Sequence, residues 1–192
     1  METLRTVGWL VCGIYATIPA FWLIIHPFAN FWRKRFRAPL KLLGVVWMLL
    51  WAVAWLLSSP LRNEAIPSPW WLGFGVVPLW ATSLFIYFGG QRHFSLNQVI
   101  GRTELESDRH EQVLVTTGLH ARMRHPLYLG HLCTMLGWLT LARSQAVLAL
   151  LLWAVATGTV MIRFEDAELE QRFGETYREY RHRVPAVIPK LI

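Results

Sequence analysis

Arg122, Arg124 and His125 stand directly before a long apolar segment that opens with Pro126, and Glu165 and Asp166 stand at the end of the next one. Guanidinium, imidazole and carboxylate groups are the ones that bind charged ligands and move protons. At the edge of an apolar segment they are costly unless paired or hydrated. Two readings are open on the residues alone. One is a functional site. The other is positive charge flanking a span together with a structural ion pair, with Pro126 in the first helical turn, where its missing N–H does no harm.

The elements that must position these groups are apolar blocks. The chain has 192 residues, of which 54% are hydrophobic and only 16% charged. The apolar residues fall in uncharged blocks instead of an amphipathic period, the pattern of a membrane protein. There are five, approximately Val7–Ile25, Leu42–Ser59, Trp70–Gly89, Leu127–Ala142 and Ala146–Ile162. The first three hold 18–20 residues, enough to cross a ~30 Å hydrocarbon core. The last two are shorter and separated only by Arg143, Ser144 and Gln145, which predicts a tight antiparallel hairpin. The expected fold is an all-α membrane protein with five transmembrane helices, divided into a three-span N-terminal part, residues 1–90, and a second half, residues 91–192.

Sixteen of the 19 Lys and Arg residues lie after block one, between blocks three and four, or in the tail; only Arg5, Arg62 and Arg143 lie on the other side. The positive-inside rule then predicts an external N-terminus and a cytoplasmic C-terminus. Five crossings agree with that, since an odd number separates the termini. The net charge of +7 is explained by this topology and by anionic lipid, so no nucleic-acid partner is expected. The run "FWRKRFR", Phe31 to Arg37, reads as an interfacial anchor. Cys12 and Cys133 fall inside spans as small buried residues and suggest neither a disulfide nor a metal site.

The polar mass is concentrated in 91–124 and 163–192. The second stretch, "RFEDAELEQRFGETYREYRHRVP", continues as a helix out of block five, with Phe164, Glu165, Leu169, Phe173, Tyr177 and Tyr180 at three- and four-residue spacing. Gly174 is expected to break it and Pro185 to stop it. His125 precedes Arg143 by 18 residues, about 27 Å of helix. Glu165 follows Arg143 by 22. Antiparallel neighbours therefore bring Arg124, His125 and Tyr128 close to Glu165 and Asp166. Asp166, the next residue on the helix, is expected to point about 100° away from the pocket that Glu165 faces.

The stretch "VLVTTGLHARMRHPLYLG", Val113 to Gly130, then an apolar pair of segments, then "EDAELEQRFGETYREYRHRVPAVIP", Glu165 to Pro189, resembles the catalytic half of the isoprenylcysteine carboxyl methyltransferase and phospholipid methyltransferase superfamily. The ordered features are Arg-His-Pro-x-Tyr-x-Gly, an acidic pair, Phe-Gly-x-x-Tyr-x-x-Tyr and a closing Pro. The resemblance implies an integral-membrane methyltransferase that uses S-adenosylmethionine, with its pocket formed on the cytoplasmic side by the loop before span four and the C-terminal helix. It implies that His125, the Pro126–Leu127 backbone and Tyr128 hold the amino-acid end of the donor, with Glu165 on its ammonium. His125 and Glu165 are thus the expected catalytic pair. It also implies that Gln112, Val113, Leu114 and Val115 line the adenine side, with His120 beside the cofactor.

Three positions depart from the superfamily pattern. Gly118-Leu119-His120 stands where Gly-Pro-Tyr is usual, Glu165-Asp166 replaces a Glu pair, and Met161 stands where an acceptor-binding Arg is expected. Arg124 and Arg163 are the remaining substrate-binding candidates. The acceptor would be lipophilic and enter sideways between spans. An isoprenylcysteine-type carboxylate leads, and a phospholipid amine or a small thiol are the others; a carboxylate or a thiolate needs no base, whereas the amine must first lose a proton, which His120 or Glu165 could accept. No metal is implied.

Other histidines carry plainer expectations. His131 lies within a span but is six residues from His125, so the two do not share a helix face and a haem pair is not expected. His26, His93, His110 and His182 lie near boundaries or in loops and are expected to be solvated. Two other functional classes fit the pattern: a non-catalytic five-span scaffold, and a reductase-like relative that binds NADPH and would need about twice the spans.

Overall fold

The computed structural model describes residues 1–28, 31–32, 34, 39–91 and 113–189. Six helices carry the architecture: α1 (Glu2–Ile25), α2 (Pro39–Ser58), α3 (Val76–Gln91), α4 (Pro126–Ala142), α5 (Gln145–Phe173) and α6 (Glu175–Arg183). No strand is formed among the described residues. Among the described residues four segments are long and apolar enough to cross a membrane, namely Glu2–Phe28, Leu42–Leu61, Trp70–Gly89 and Gln145–Phe173. The fourth apolar block of the sequence forms α4, whose 17 residues extend about 26 Å.

The core lies between α1 and α5. Trp9, Cys12 and Ala16 of α1 pack on Ala146, Val147, Leu150, Leu151 and Ala154 of α5, with Met135 of α4 completing the cluster. Small residues at the contact allow close helix approach, as in membrane interfaces. α3 packs on α4 instead, where the Trp80 indole occupies the space that a side chain at Gly137 would need.

The connection from α4 to α5 is short because Arg143 closes α4 in the left-handed conformation, φ 49°. It is pinned by the segment after α2. Ile66 N–H donates to the Arg143 carbonyl at 2.8 Å, Gln145 N–H to the Glu64 carbonyl at 3.0 Å, and the Arg143 guanidinium to the Ser68 carbonyl at 3.0 Å. Arg5 donates to the Asn63 carbonyl at 2.9 Å at the same end of the molecule. Arg5, Arg62 and Arg143, the three cations separated from the others by the sequence pattern, therefore gather at one end. Arg124 and His125 lie at the other.

The break at Gly174 is where the sequence predicts it, at φ 57°, a conformation open to glycine. It turns α6 back so that Tyr177, Tyr180 and Val184 pack with Leu114, Leu169 and Phe173. The tail is thereby laid over the start of α4.

Candidate active site

The site is built where three pieces of chain meet: the turn before α4, the C-terminal third of α5, and α6 with the tail behind it. Successive amides form the seam. Arg124 N–H donates to the Pro185 carbonyl at 2.9 Å and His125 N–H to the Ala186 carbonyl at 2.8 Å. His125 is extended rather than helical, with φ −121° and ψ 64°, as a residue before proline is constrained to be.

The His125 ring reaches both acidic residues of α5. Its Nδ1 lies 3.2 Å from Glu165 Oε2 and its Nε2 3.2 Å from Asp166 Oδ1. Burial alone would lower the imidazole pKa, but the two carboxylates outweigh it and hold it up at about 9. At neutral pH both ring nitrogens therefore carry protons and act as donors.

The two carboxylates differ in access. Asp166 is closed in, with 5% of its side chain exposed against 24% for Glu165. Asp166 accepts from Arg124 Nη2 at 2.7 Å, from Arg124 Nε at 3.2 Å, and from the Tyr177 hydroxyl. Arg181 Nε stands 3.7 Å away. Burial and the neighbouring Asp166 carboxylate push the Tyr177 phenol well above its usual value, so it remains a donor. Arg124 Nη1 donates to the carbonyls of Arg181 and Val184, which leaves all three guanidinium nitrogens committed to the chain.

Of the residues expected at the site, Arg124, His125, Tyr128 and Glu165 are brought together around the start of α4. The Tyr128 ring lies 5.7 Å from that of His125, and its hydroxyl meets the Met161 thioether at 3.2 Å. His120 is buried in a short 3₁₀ turn, Gly118–Ala121, whose His120 carbonyl accepts from the Tyr180 hydroxyl at 2.6 Å. Leu114 joins the Tyr177–Tyr180 cluster, Val115 is half-buried and Val113 is 69% exposed. Pro126 is fully buried and Leu127 half-buried. Gln112 lies outside the described residues, as do His93 and His110. Arg163 is exposed and makes no ion pair among the described residues. Two residues from Glu165 on one helix, it points about 200° away.

His26 corrects the expectation of a solvated boundary histidine. It is buried, stacks on Trp22 with ring centroids 5.0 Å apart, and lies 2.5 Å from Glu168 Oε2. Glu168 is one turn along α5 from Glu165 and also takes Arg172 at 2.5 Å. The short turn after α1, His26–Phe28, thus reaches the acidic side of the site. Tyr177 and Arg181 are residues of the cluster to which sequence reasoning assigned no role there. Tyr177 was visible in the helical spacing and in the Phe-Gly-x-x-Tyr-x-x-Tyr feature, and Arg181 through its i, i+4 spacing from Tyr177, which puts the two on one face of α6. Among the described residues no group of three or more His, Cys, Asp or Glu could hold a metal ion.

A zwitterionic ligand fits this arrangement. His125 caps α4 without a side-chain hydrogen bond, Pro126 has no N–H, and the amides of Leu127 and Tyr128 begin the helix. A helix start with free amides receives a carboxylate, and the reachable Glu165 carboxylate receives an ammonium.

A family model described as phospholipid methyltransferase matches residues 77–176, more than half of the chain. Among relatives, the chain is 40% identical over 73 residues to methanethiol S-methyltransferase 2 of Bradyrhizobium diazoefficiens, covering 38% of this chain and 27% of that protein. It is 26% identical over 151 residues to a Pseudomonas methanethiol S-methyltransferase, covering 79% and 55%. It is 35% identical over 82 residues to the protein-S-isoprenylcysteine O-methyltransferase of Schizosaccharomyces pombe, covering 41% and 34%. The chain spans between about a quarter and just over half of the length of these three relatives. No solved structure matches. With the matched region taking in α3, α4, α5 and the acidic pair that faces His125, the chain belongs to the phospholipid methyltransferase family.

Proposed function

We propose that the chain is a membrane-embedded methyltransferase that moves a methyl group from S-adenosylmethionine to a lipid-soluble acceptor. The reading includes five spans with α4 and α5 as an antiparallel hairpin, an external N-terminus, and a cytoplasmic pocket in residues 91–192. One observation carries it: Glu165, a carboxylate with 24% of its side chain exposed, faces the uncapped start of α4 across His125.

S-adenosylmethionine supplies an already activated methyl group on a sulfonium. The chain's task is to orient and to exclude water. Glu165 takes the donor's ammonium. The amides of Leu127 and Tyr128 take its carboxylate, with the charged His125 ring beside them. Leu114, Val115 and the His120 turn flank the adenine. Asp166 and Arg124 fix the His125 ring and the tail without contacting the donor, so Arg124 passes from substrate binding to positioning.

That reassignment bears on the acceptor. A carboxylate acceptor needs a free cation, Arg124 is committed to Asp166, and Arg163 points away from Glu165. The methanethiol S-methyltransferase relatives run along 78–85% of the chain in three cases, against about 40% for the isoprenylcysteine relatives. Both facts favour a small thiol over the carboxylate expected first. The test is titration of S-adenosylhomocysteine against the purified chain and against Glu165→Gln. Binding to the parent and its loss in the variant support the reading. A parent that binds NADPH and not S-adenosylhomocysteine refutes it in favour of a reductase-like protein, and one that binds neither leaves the scaffold reading.

A further inference from the structure

Three carboxylates, Glu165, Asp166 and Glu168, crowd one turn of α5. Like charges this close on a helix repel, so each calls for its own counter-charge. Asp166 has Arg124. Glu168 has two partners: Arg172 Nη2, one turn further along α5, at 2.5 Å, and His26 Nδ1, from the turn after α1, also at 2.5 Å. A carboxylate only accepts, so the His26 Nδ1–H donates. The same His26 ring is near enough to act on the Glu165 carboxylate. Two imidazoles, His125 and His26, therefore bear on the group assigned to the donor's ammonium.

The turn that carries His26 is held in place from several directions. Ile25, just before it, is fully buried with Leu43 of α2. The Trp32 indole donates to the Ile24 carbonyl at 2.8 Å, and Trp22 stacks on the imidazole itself. With 3% of its side chain exposed, His26 has little room to shift. Stability alone does not call for a buried imidazole here. Helices α1 and α5 are already joined by the apolar contact that runs from Trp9 to Ala154, and a buried ion pair adds little over apolar packing of similar volume. What the pair supplies is direction. It fixes the rotation of α5 about its own axis at Glu168, and Glu165, three residues earlier, shares that face of the helix.

We propose that His26 is a positioning residue of the donor site, whose hydrogen bond to Glu168 sets the rotation of α5 that presents Glu165 to the ammonium of S-adenosylmethionine. The inference rests on the methyltransferase reading. It adds to the site a residue that lies outside the stretch matched by the family model, residues 77–176. The pair also removes a competitor. Glu168, one turn from Glu165, would otherwise offer the ammonium a second carboxylate, and its engagement by His26 and Arg172 leaves Glu165 as the one that receives it.

The experiment is calorimetric titration of S-adenosylhomocysteine against the full chain in detergent and against variants at residues 26 and 168, with melting temperature as the check on folding. His26→Phe keeps a ring against Trp22 and removes the hydrogen bond. Misplacing an orienting group by about 1 Å costs up to about a hundredfold, and a loss of about tenfold in affinity is expected here. His26→Asn, whose side-chain N–H stands in for Nδ1–H, is expected to restore most of the affinity. Glu168→Ala is expected to repeat the loss, and it carries the test should His26→Phe fail to fold. Beside Glu165→Gln, His26→Phe is expected to change nothing further, because the residue acts through Glu165; a general loosening of the fold would lower affinity there as well. Parental affinity in both His26→Phe and Glu168→Ala, a loss that His26→Asn does not recover, or the same loss persisting beside Glu165→Gln overturns the inference. A parent that binds no S-adenosylhomocysteine refutes the donor-site reading and the inference with it. A parent whose affinity falls with Glu165→Gln but not with His26→Phe or Glu168→Ala keeps the reading and refutes the inference alone.

Discussion

Arg124 and Asp166 meet through two guanidinium nitrogens, Nη2 to Oδ2 at 2.7 Å and Nε to Oδ1 at 3.2 Å, with 8% and 5% of their side chains exposed. A two-point pair of this kind fixes direction as well as distance. It binds the turn before α4 to α5, and Arg124 Nη1 extends the link to the carbonyls of Arg181 and Val184. The acidic pair is therefore divided in labour. Asp166 holds the chain together, and Glu165 is left reachable.

Removing one partner of a buried pair leaves the other uncompensated, which costs about 3–5 kcal/mol. Asp166→Asn is expected to lower the melting temperature in detergent and to free the tail, so that limited proteolysis after Arg183 accelerates. A variant that melts with the parent and stays resistant would show that Asp166 does not secure this seam.

Glu165→Gln is expected to behave differently. A hydrogen bond to a charged group contributes about 1.5–3 kcal/mol, so donor affinity should fall roughly ten- to hundredfold with little change in melting. Calorimetric titration of S-adenosylhomocysteine reads this directly. If Asp166→Asn loses affinity while folded and Glu165→Gln does not, the roles are exchanged.

Arg5, Arg62 and Arg143 gather at the end of the bundle opposite to Arg124. With the 16-to-3 division of cations, this leads us to expect a cytoplasmic C-terminus. A reporter fused after Ile192 should be active only inside. Neutralising Arg33, Lys34, Arg35 and Arg37 together should disturb insertion or orientation and leave the donor affinity of correctly inserted protein unchanged. Selective loss of donor binding would instead move this stretch into the site.

The pairing of His125 with Glu165 was legible because a helix has a fixed rise and the turn at Arg143 is short, so counting residues sufficed. The break at Gly174 was legible for a similarly local reason. The role of Asp166 was not. Helical geometry turns it away from the pocket, yet the His125 ring lies as close to it as to Glu165, and the partners that bury it, Tyr177, Arg181 and the Val184–Ala186 backbone, arrive only after the chain reverses at Gly174. His26 was illegible for the same reason at greater distance. Its partner Glu168 is 142 residues away, and nothing in local hydropathy distinguishes a buried boundary histidine from a solvated one. His131 was visible as a lone histidine, whereas its tyrosine neighbours, Tyr15, Tyr87 and Tyr128, come from three helices whose packing no periodicity specifies.

The pH dependence of stability follows from His125. Its pKa is raised from 6.5 to about 9 in the folded chain, where Glu165 and Asp166 overcome the effect of burial. Below pH 6.5 the ring is charged both folded and unfolded, so its pairing contributes in full. Between 6.5 and about 9 the folded chain retains a proton that the unfolded chain gives up, and stability falls as pH rises. Above that the contribution is gone. Melting temperatures of the parent in one detergent should therefore decline through this window. His125→Asn, which keeps a hydrogen-bonding side chain but cannot titrate, should start lower and decline less. Parallel profiles for the two proteins would mean that the decline belongs to other groups, and that the His125 ring is not held in its charged form between the carboxylates.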